Sequence, residues 1–257
     1  MTDATPKIAL ERLKKSFGSK HVLRDVSLTV APGTSTVIIG GSGTGKSVTL
    51  KCILGLIVPD AGRILFEGTD VTRAGGRVRA EMLDKFGMLF QGGALFDSLL
   101  VWENVAFRHR QGADALSKAD ARDLAIEKLR RVGLTAETAD LYPSELSGGM
   151  QKRVGLARAI ARSPEVIFFD EPTTGLDPIM ADVINDLIRE IVSEMGATAM
   201  TITHDMTSVR KIADRVAMLH NGVVQWEGPV GEIDTTDEPH VRQFVNGLAE
   251  GPIEAIR

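Results

Sequence analysis

Gly40-Gly41-Ser42-Gly43-Thr44-Gly45-Lys46-Ser47 follows the apolar run Val37-Ile38-Ile39 and precedes a segment with Leu50, Ile53, Leu54 and Ile57 at helical spacing. This pattern predicts a strand ending in a glycine-rich loop from which a helix starts at Lys46. Glycines permit unusual backbone angles and close approach, so successive N–H groups can surround a phosphate at a helix N-terminus. Lys46 can then reach the β and γ phosphates, and the Ser47 hydroxyl can ligate Mg²⁺. A chance glycine turn is the alternative, and the strand before and helix after are the context the phosphate reading requires. By itself the loop implies only a nucleoside triphosphate.

Outward from the loop, 8–13, 22–30 and 64–66 read as strands, with turns at Ala31-Pro32-Gly33 and Pro59-Asp60-Ala61-Gly62. Ala121, Leu124, Ala125, Leu129 and Val132 follow helical spacing over 117–132, and a second helix is expected over 148–161. Apolar strands at 166–169 and 199–203 then alternate with a helix over 179–194, the pattern of a parallel sheet. The expected fold is α/β with a helical insertion at 91–160, in one domain over 1–257 with a tail from 235. No internal repeat or long linker suggests a second domain.

The totals agree with a globular protein. Of 257 residues 43% are hydrophobic, and 30 Lys and Arg stand against 34 Asp and Glu, a formal charge of −4. That balance argues against a general affinity for nucleic acid. Apolar runs such as 166–169 are far below the roughly 18 residues of a membrane span. The polar residues 1–7 lack the features of a secretory signal, so a cytoplasmic location is expected. The single cysteine, Cys52, reads as a small buried apolar residue.

Val166-Ile167-Phe168-Phe169-Asp170-Glu171 reads as a buried strand delivering two carboxylates to its C-terminal edge, where ligands of α/β sheets bind. Asp170 is suited to hold Mg²⁺ and Glu171 to polarise a water attacking a γ-phosphate. A strand followed by a polar turn at Glu171-Pro172 is the plainer reading. About twenty residues earlier, Leu146-Ser147-Gly148-Gly149-Met150-Gln151-Lys152-Arg153 places a hydroxyl and two glycines at a helix start, with Ser147 as N-cap, a second anion site.

This octet, in this position, resembles the signature motif of the ATP-binding cassette (ABC) ATPases. The resemblance covers nearly the whole chain, from Ile8 to Gly228. It implies a RecA-like P-loop NTPase core with an antiparallel β subdomain and a helical insertion. ATP and Mg²⁺ are the implied ligands. Glu171, His204 and Gln91 take catalytic roles, and Ser47, Gln91 and Asp170 serve the metal. Phe17 matches the aromatic that stacks on adenine, with Val22 beside it, while Gly40 to Ser47 and Val48 hold the phosphates. Leu146 to Met150 would act on a partner subunit's ATP, and Asp177 in Gly175-Leu176-Asp177 would communicate across the dimer. Two departures stand out: Gly41 replaces a proline common in relatives, and Val48 a second hydroxyl.

The resemblance also implies a second copy of the chain, transmembrane permease subunits and peripheral attachment at the cytoplasmic face of the inner membrane. Residues 92–107, unusually apolar, are the expected docking surface, although Leu95, Phe96 and Trp102 could equally pack the helical insertion. That stretch and the tail Val241-Arg242-Gln243-Phe244-Val245-Asn246-Gly247-Leu248-Ala249-Glu250-Gly251-Pro252 are similar to the cassette ATPases of MCE-type lipid transporters, including the Mla phospholipid system. An MCE-domain lipid-binding partner follows from that likeness. The ATPase of a small-solute importer, such as one for polar amino acids, is the alternative. The tail, with Val241, Phe244, Val245 and Leu248 on one helical face, either reaches a partner subunit or docks on its own domain.

Overall fold

Runs of β-branched and aromatic residues, stopped by glycine turns, account for most strands of the computed structural model, which describes residues 5–254. Along the chain lie β1 (Ile8–Phe17), β2 (Lys20–Val30), β3 (Ser35–Ile39), α1 (Lys46–Ile53), β4 (Ala61–Phe66), β5 (Thr69–Asp70), α2 (Gly76–Asp84) and β6 (Phe86–Leu89). These are followed by α3 (Val101–Val105), α4 (Lys118–Arg131), α5 (Gly148–Ile160), β7 (Val166–Asp170) and α6 (Pro178–Met195). The last elements are β8 (Thr198–Ile202), α7 (Met206–Ile212), β9 (Arg215–His220), β10 (Val223–Pro229) and α8 (Pro239–Asn246). The chain divides into two compact units: one runs to Leu83 and resumes at Thr198, and the other is Asp84–Ala197.

In the first unit the strands follow the order β5-β4-β1-β2-β10-β9-β3-β8. β1 pairs antiparallel with β2 and β4, whereas β3 is flanked by parallel β8 and β9. β3 is buried along its whole length, as a strand covered on both faces must be. The helix after the glycine loop stops at Ile53 instead of reaching Ile57, because Gly55 takes φ +66° and the Leu56 and Ile57 N–H groups both turn back to the Lys51 carbonyl. Cys52 is buried on α1, and burial pushes its thiol up to about 11, the behaviour of an inert apolar side chain. β9 and β10 were not anticipated from sequence.

The second unit holds the parallel pair β6 and β7, in register from Phe86↔Val166 to Leu89↔Phe169. Phe168 and Phe169 are fully buried, and Phe168 meets Phe86 edge to face with ring centroids 5.0 Å apart. α5 packs on β6, and α3, α4 and α6 pack on α5, with Ala121, Ala125 and Leu129 of α4, four residues apart on one face, fully enclosed. Phe168→Ala removes a ring with no room to relax. It is expected to lower unfolding free energy by about 3–5 kcal/mol in a denaturant titration.

The tail helix α8 packs within the first unit through Val241, and its His240 ring lies 5.1 Å from that of His220 at the end of β9. Its buried side pairs Val241 with Gln243, whereas Leu248 lies beyond the helix and is exposed. The Gln243 amide accepts from the Ile253 N–H at 2.7 Å and donates to the Leu248 and Ile253 carbonyls, folding the chain after α8 back onto it. These bonds explain why a polar residue occupies the buried position.

Candidate functional site

In the first unit the glycine loop leaves the buried end of β3. Gly40 has φ +149°, and a Cβ there would lie 2.2 Å from the Leu219 carbonyl oxygen of β9, so no other residue fits. Gly45 caps α1 at φ +109°, where a Cβ would lie 2.6 Å from a Leu23 methyl. Lys46, the first residue of α1, is buried, its Nζ donating to the carbonyls of Gly40 at 2.6 Å and Gly41 at 2.9 Å. A cation is thereby held in the bend of the loop. Thr44 Oγ1 donates to the Gly41 carbonyl and Thr49 Oγ1 to that of Gly45, stiffening both sides. Ser42 is exposed and Ser47 presents its hydroxyl to solvent from the first turn of α1.

A cavity of about 300 Å³ adjoins the loop, lined by Phe17, Val22, Gly43, Lys46, Ser47 and Val48, with Lys20 and Gly45 completing its wall. Phe17 is half exposed and lies 5.5 Å below the Lys15 ammonium, so an aromatic face stands ready beside the phosphate loop. His204 follows β8, whose register Ile38↔Ile202 brings its end to the same edge as the loop, and the Thr203 N–H donates to the Ile38 carbonyl. The unit thus brings together an anion cradle, a cation, an aromatic platform and an exposed imidazole.

In the second unit, Gln91 and Glu171 each stand two residues past the paired Leu89 and Phe169, and so emerge at one edge of β6 and β7. Asp170, the last residue of β7, is half-buried. Glu171 takes φ +48°, uncommon for a residue with a side chain, and Thr174 holds it: the Thr174 N–H donates to its carbonyl and Oγ1 to its Oε2 at 3.2 Å.

The octet starting at Leu146 opens α5 as expected, with Ser147 Oγ accepting from the Met150 N–H. Leu146 and Gly149 are buried, while Ser147 and Gly148 are exposed with the helix N-terminus behind them, the arrangement that attracts an anion. Asp177 is the exposed N-cap of α6 and accepts from the Ile179 and Met180 N–H groups. The start of α5 lies against this cap, since a Cβ on Gly149 would sit 2.8 Å from Met180 Cε.

Sequence reasoning missed Lys152. It is buried on α5 and donates through Nζ to the backbone carbonyl of Gln91 and, at 3.3 Å, to that of Glu171. Burial holds its ammonium below the usual lysine range, opposed by the Asp170 and Glu171 carboxylates. A lysine amid Val154, Leu156 and Ala157 on a helix was the available signal.

Residues 23–174 match the ABC transporter family. The chain is 42% identical over 246 residues to the Mycobacterium tuberculosis "Probable ribonucleotide transport ATP-binding protein mkl", covering 96% of this chain and 68% of the relative. It is 40% identical over 236 residues to the Escherichia coli intermembrane phospholipid transport system ATP-binding protein MlaF, covering 92% and 87%. Among solved structures, a dimeric ATP-binding cassette in a post-hydrolysis state with ADP and Pi superposes with TM-score 0.79 at 30% identity, over 87% of this chain and 98% of the other. Among the described residues no helix is long and apolar enough to cross a membrane. Fold, phosphate loop and relatives agree: the chain belongs to the ABC transporter ATP-binding family and is an ABC ATPase subunit.

Proposed function

We propose that this subunit, paired with a second copy, hydrolyses Mg-ATP against membrane permease subunits to move phospholipid between bacterial membranes. The observation that carries the cargo is the 40% identity to MlaF over 92% of the chain. In this reading Phe17 stacks on adenine beside Val22, while the N–H groups of the loop from Gly40 to Ser47 and of Val48 take the phosphates. Lys46 neutralises charge on the β and γ phosphates. The oxygen donors of Ser47, Gln91 and Asp170 suit Mg²⁺, which would balance the remaining phosphate charge. Glu171 accepts a proton from water as its oxygen attacks the γ-phosphorus and the bond to ADP breaks. His204 contacts the γ-phosphate.

Leu146 to Met150 complete the partner's site, and Asp177 relays its state. The whole chain acts as one cassette, with 91–160 as its helical subdomain, peripheral at the cytoplasmic face.

Docking is supported by a groove of about 580 Å³ in the second unit, lined by Phe90, Ala94, Phe96, Val105 and Phe107. Trp102 is buried and serves packing, whereas Phe96 is 44% exposed and its ring lies 4.6 Å from that of Phe107. A groove of this size, in which these apolar side chains stand beside Arg108, Arg158 and Arg162, fits a short amphipathic helix of a permease loop.

Copurification from membranes tests both cargo and groove. The wild-type chain is expected to bring down permease subunits together with an MCE-domain protein, and Phe96→Asp is expected to lose both. A periplasmic solute-binding protein in place of the MCE-domain partner would overturn the lipid reading in favour of a small-solute importer, to which the name of the mycobacterial relative lends weight.

A further inference from the structure

One face of α5 grips the segment that follows Gln91. Lys152, Gly155 and Arg158 recur every third residue and so form one ridge along the helix. Lys152 donates to the Gln91 carbonyl, and Arg158 donates at 2.7 Å to each of the Gly93 and Ala94 carbonyls. Between them, Gly155 lets the segment lie on the helix: a Cβ there would be 2.8 Å from Leu89 Cδ1 and 3.3 Å from Gly93 Cα. The same Lys152 ammonium also reaches the Glu171 carbonyl.

Two of the gripped positions are strained. Ala94 has φ +47° and Glu171 φ +48°, each a side-chain-bearing residue in the left-handed region, and each offers its carbonyl to a cation of α5. Such conformations cost on the order of 1–3 kcal/mol each and persist only where surrounding bonds hold them. Burying a lysine is also costly, and an apolar side chain of similar length would fill the space without that cost. A Lys at 152 is therefore explained by the two carbonyls it joins, which come from segments 61 and 19 residues away in sequence.

We propose that Lys152 is a positioning residue that ties Gln91 and Glu171 to the signature helix, so that a displacement of the Ser147 end of α5 is transmitted to the catalytic glutamate of the same subunit. The inference rests on the roles given above to Glu171 and to Ser147. Its consequence is that an ATP engaged by the signature end of one subunit aligns that subunit's own Glu171. The two sites of a dimer would then fire in concert, since each nucleotide sets the base for the other.

ATPase kinetics of Lys152→Met and Lys152→Arg in the full chain test it. Met is expected to lower kcat on the order of 10- to 100-fold, as misplacement of a reacting group does, with the KM for ATP within about twofold, because no phosphate-binding residue is touched. Arg, which restores N–H donors, is expected to recover most of the rate. A Met variant with wild-type kcat, a loss in which KM rises in proportion, or no recovery by Arg would each overturn the proposal. Should the Met variant not fold, Lys152→Gln replaces it: its shorter amide meets one carbonyl and not both, so a wild-type kcat there also overturns it. Glu171→Gln measured alongside separates the two readings. If it hydrolyses ATP at the wild-type rate, the assignment of Glu171 fails. If it is silent while Lys152→Met is unaffected, only the coupling fails.

Discussion

Glu171→Gln is expected to bind ATP and form the ATP-bound dimer while its kcat falls by a factor on the order of 10²–10⁴, the usual contribution of a general base. The substitution changes one oxygen for nitrogen and little else. The amide can turn its oxygen to accept from Thr174 Oγ1, and the Glu171 carbonyl keeps its bonds from Lys152 and the Thr174 N–H, so the φ of +48° survives. What is lost is the ability to take a proton from the attacking water. Equilibrium ATP binding with light scattering, followed by steady-state phosphate release, separates the two steps. Wild-type turnover would show that the base lies elsewhere, whereas loss of binding would show that the residue holds nucleotide.

The parts of the fold legible from sequence were those whose signal is local. The strand, loop and helix from 35 to 53 follow from β-branched residues, glycines that alone tolerate their backbone angles, and helical spacing after Lys46. Ser147 as N-cap and the strand ending in Asp170 are equally local, and both were found. The missed pieces depend on partners far away in sequence. β10 has half-buried residues at almost every position, so it lacks the alternation that marks a strand, and its pairing with β9 is what makes it one. Lys152 reads in sequence as one more cation beside Arg153, and the apolar Val154, Leu156 and Ala157 that follow hint at its burial without naming its partners. Only the fold brings the Gln91 and Glu171 carbonyls to it. The Phe96 and Trp102 pair divides the same way: both are large apolar residues in one run, and the packing of α3 buries Trp102 and leaves Phe96 outside.

The composite site proposed for the dimer makes the second strong prediction, by mixing subunits. Ser147→Arg places a bulky cation at the exposed N-terminus of α5 and removes the cap on the Met150 N–H, so the partner's phosphate can no longer dock there. Its own glycine loop is untouched, and it is expected to bind ATP normally while losing about 100-fold or more in kcat, the scale set by removing an oxyanion donor. Lys46→Ala fails for the opposite reason: it loses the cation between the Gly40 and Gly41 carbonyls and with it the phosphates, yet keeps an intact signature. Alone, each variant is expected to retain at most a small fraction of the wild-type rate. A mixed dimer, however, pairs the intact loop of the Ser147 variant with the intact signature of the Lys46 variant, giving one whole site. Random exchange between equal amounts makes half the dimers mixed, each with one of two sites restored, so about a quarter of wild-type activity should return if the sites act independently in a two-fold dimer. The coupling proposed through Lys152 lowers that figure, because the Lys46 subunit carries no nucleotide to align the base of its partner. Recovery well below a quarter, but clearly above either variant alone, is therefore the expected result. No recovery at all in a mixture shown by crosslinking to contain mixed dimers would overturn the shared site, and a full quarter would argue for a shared site whose two halves work without coupling.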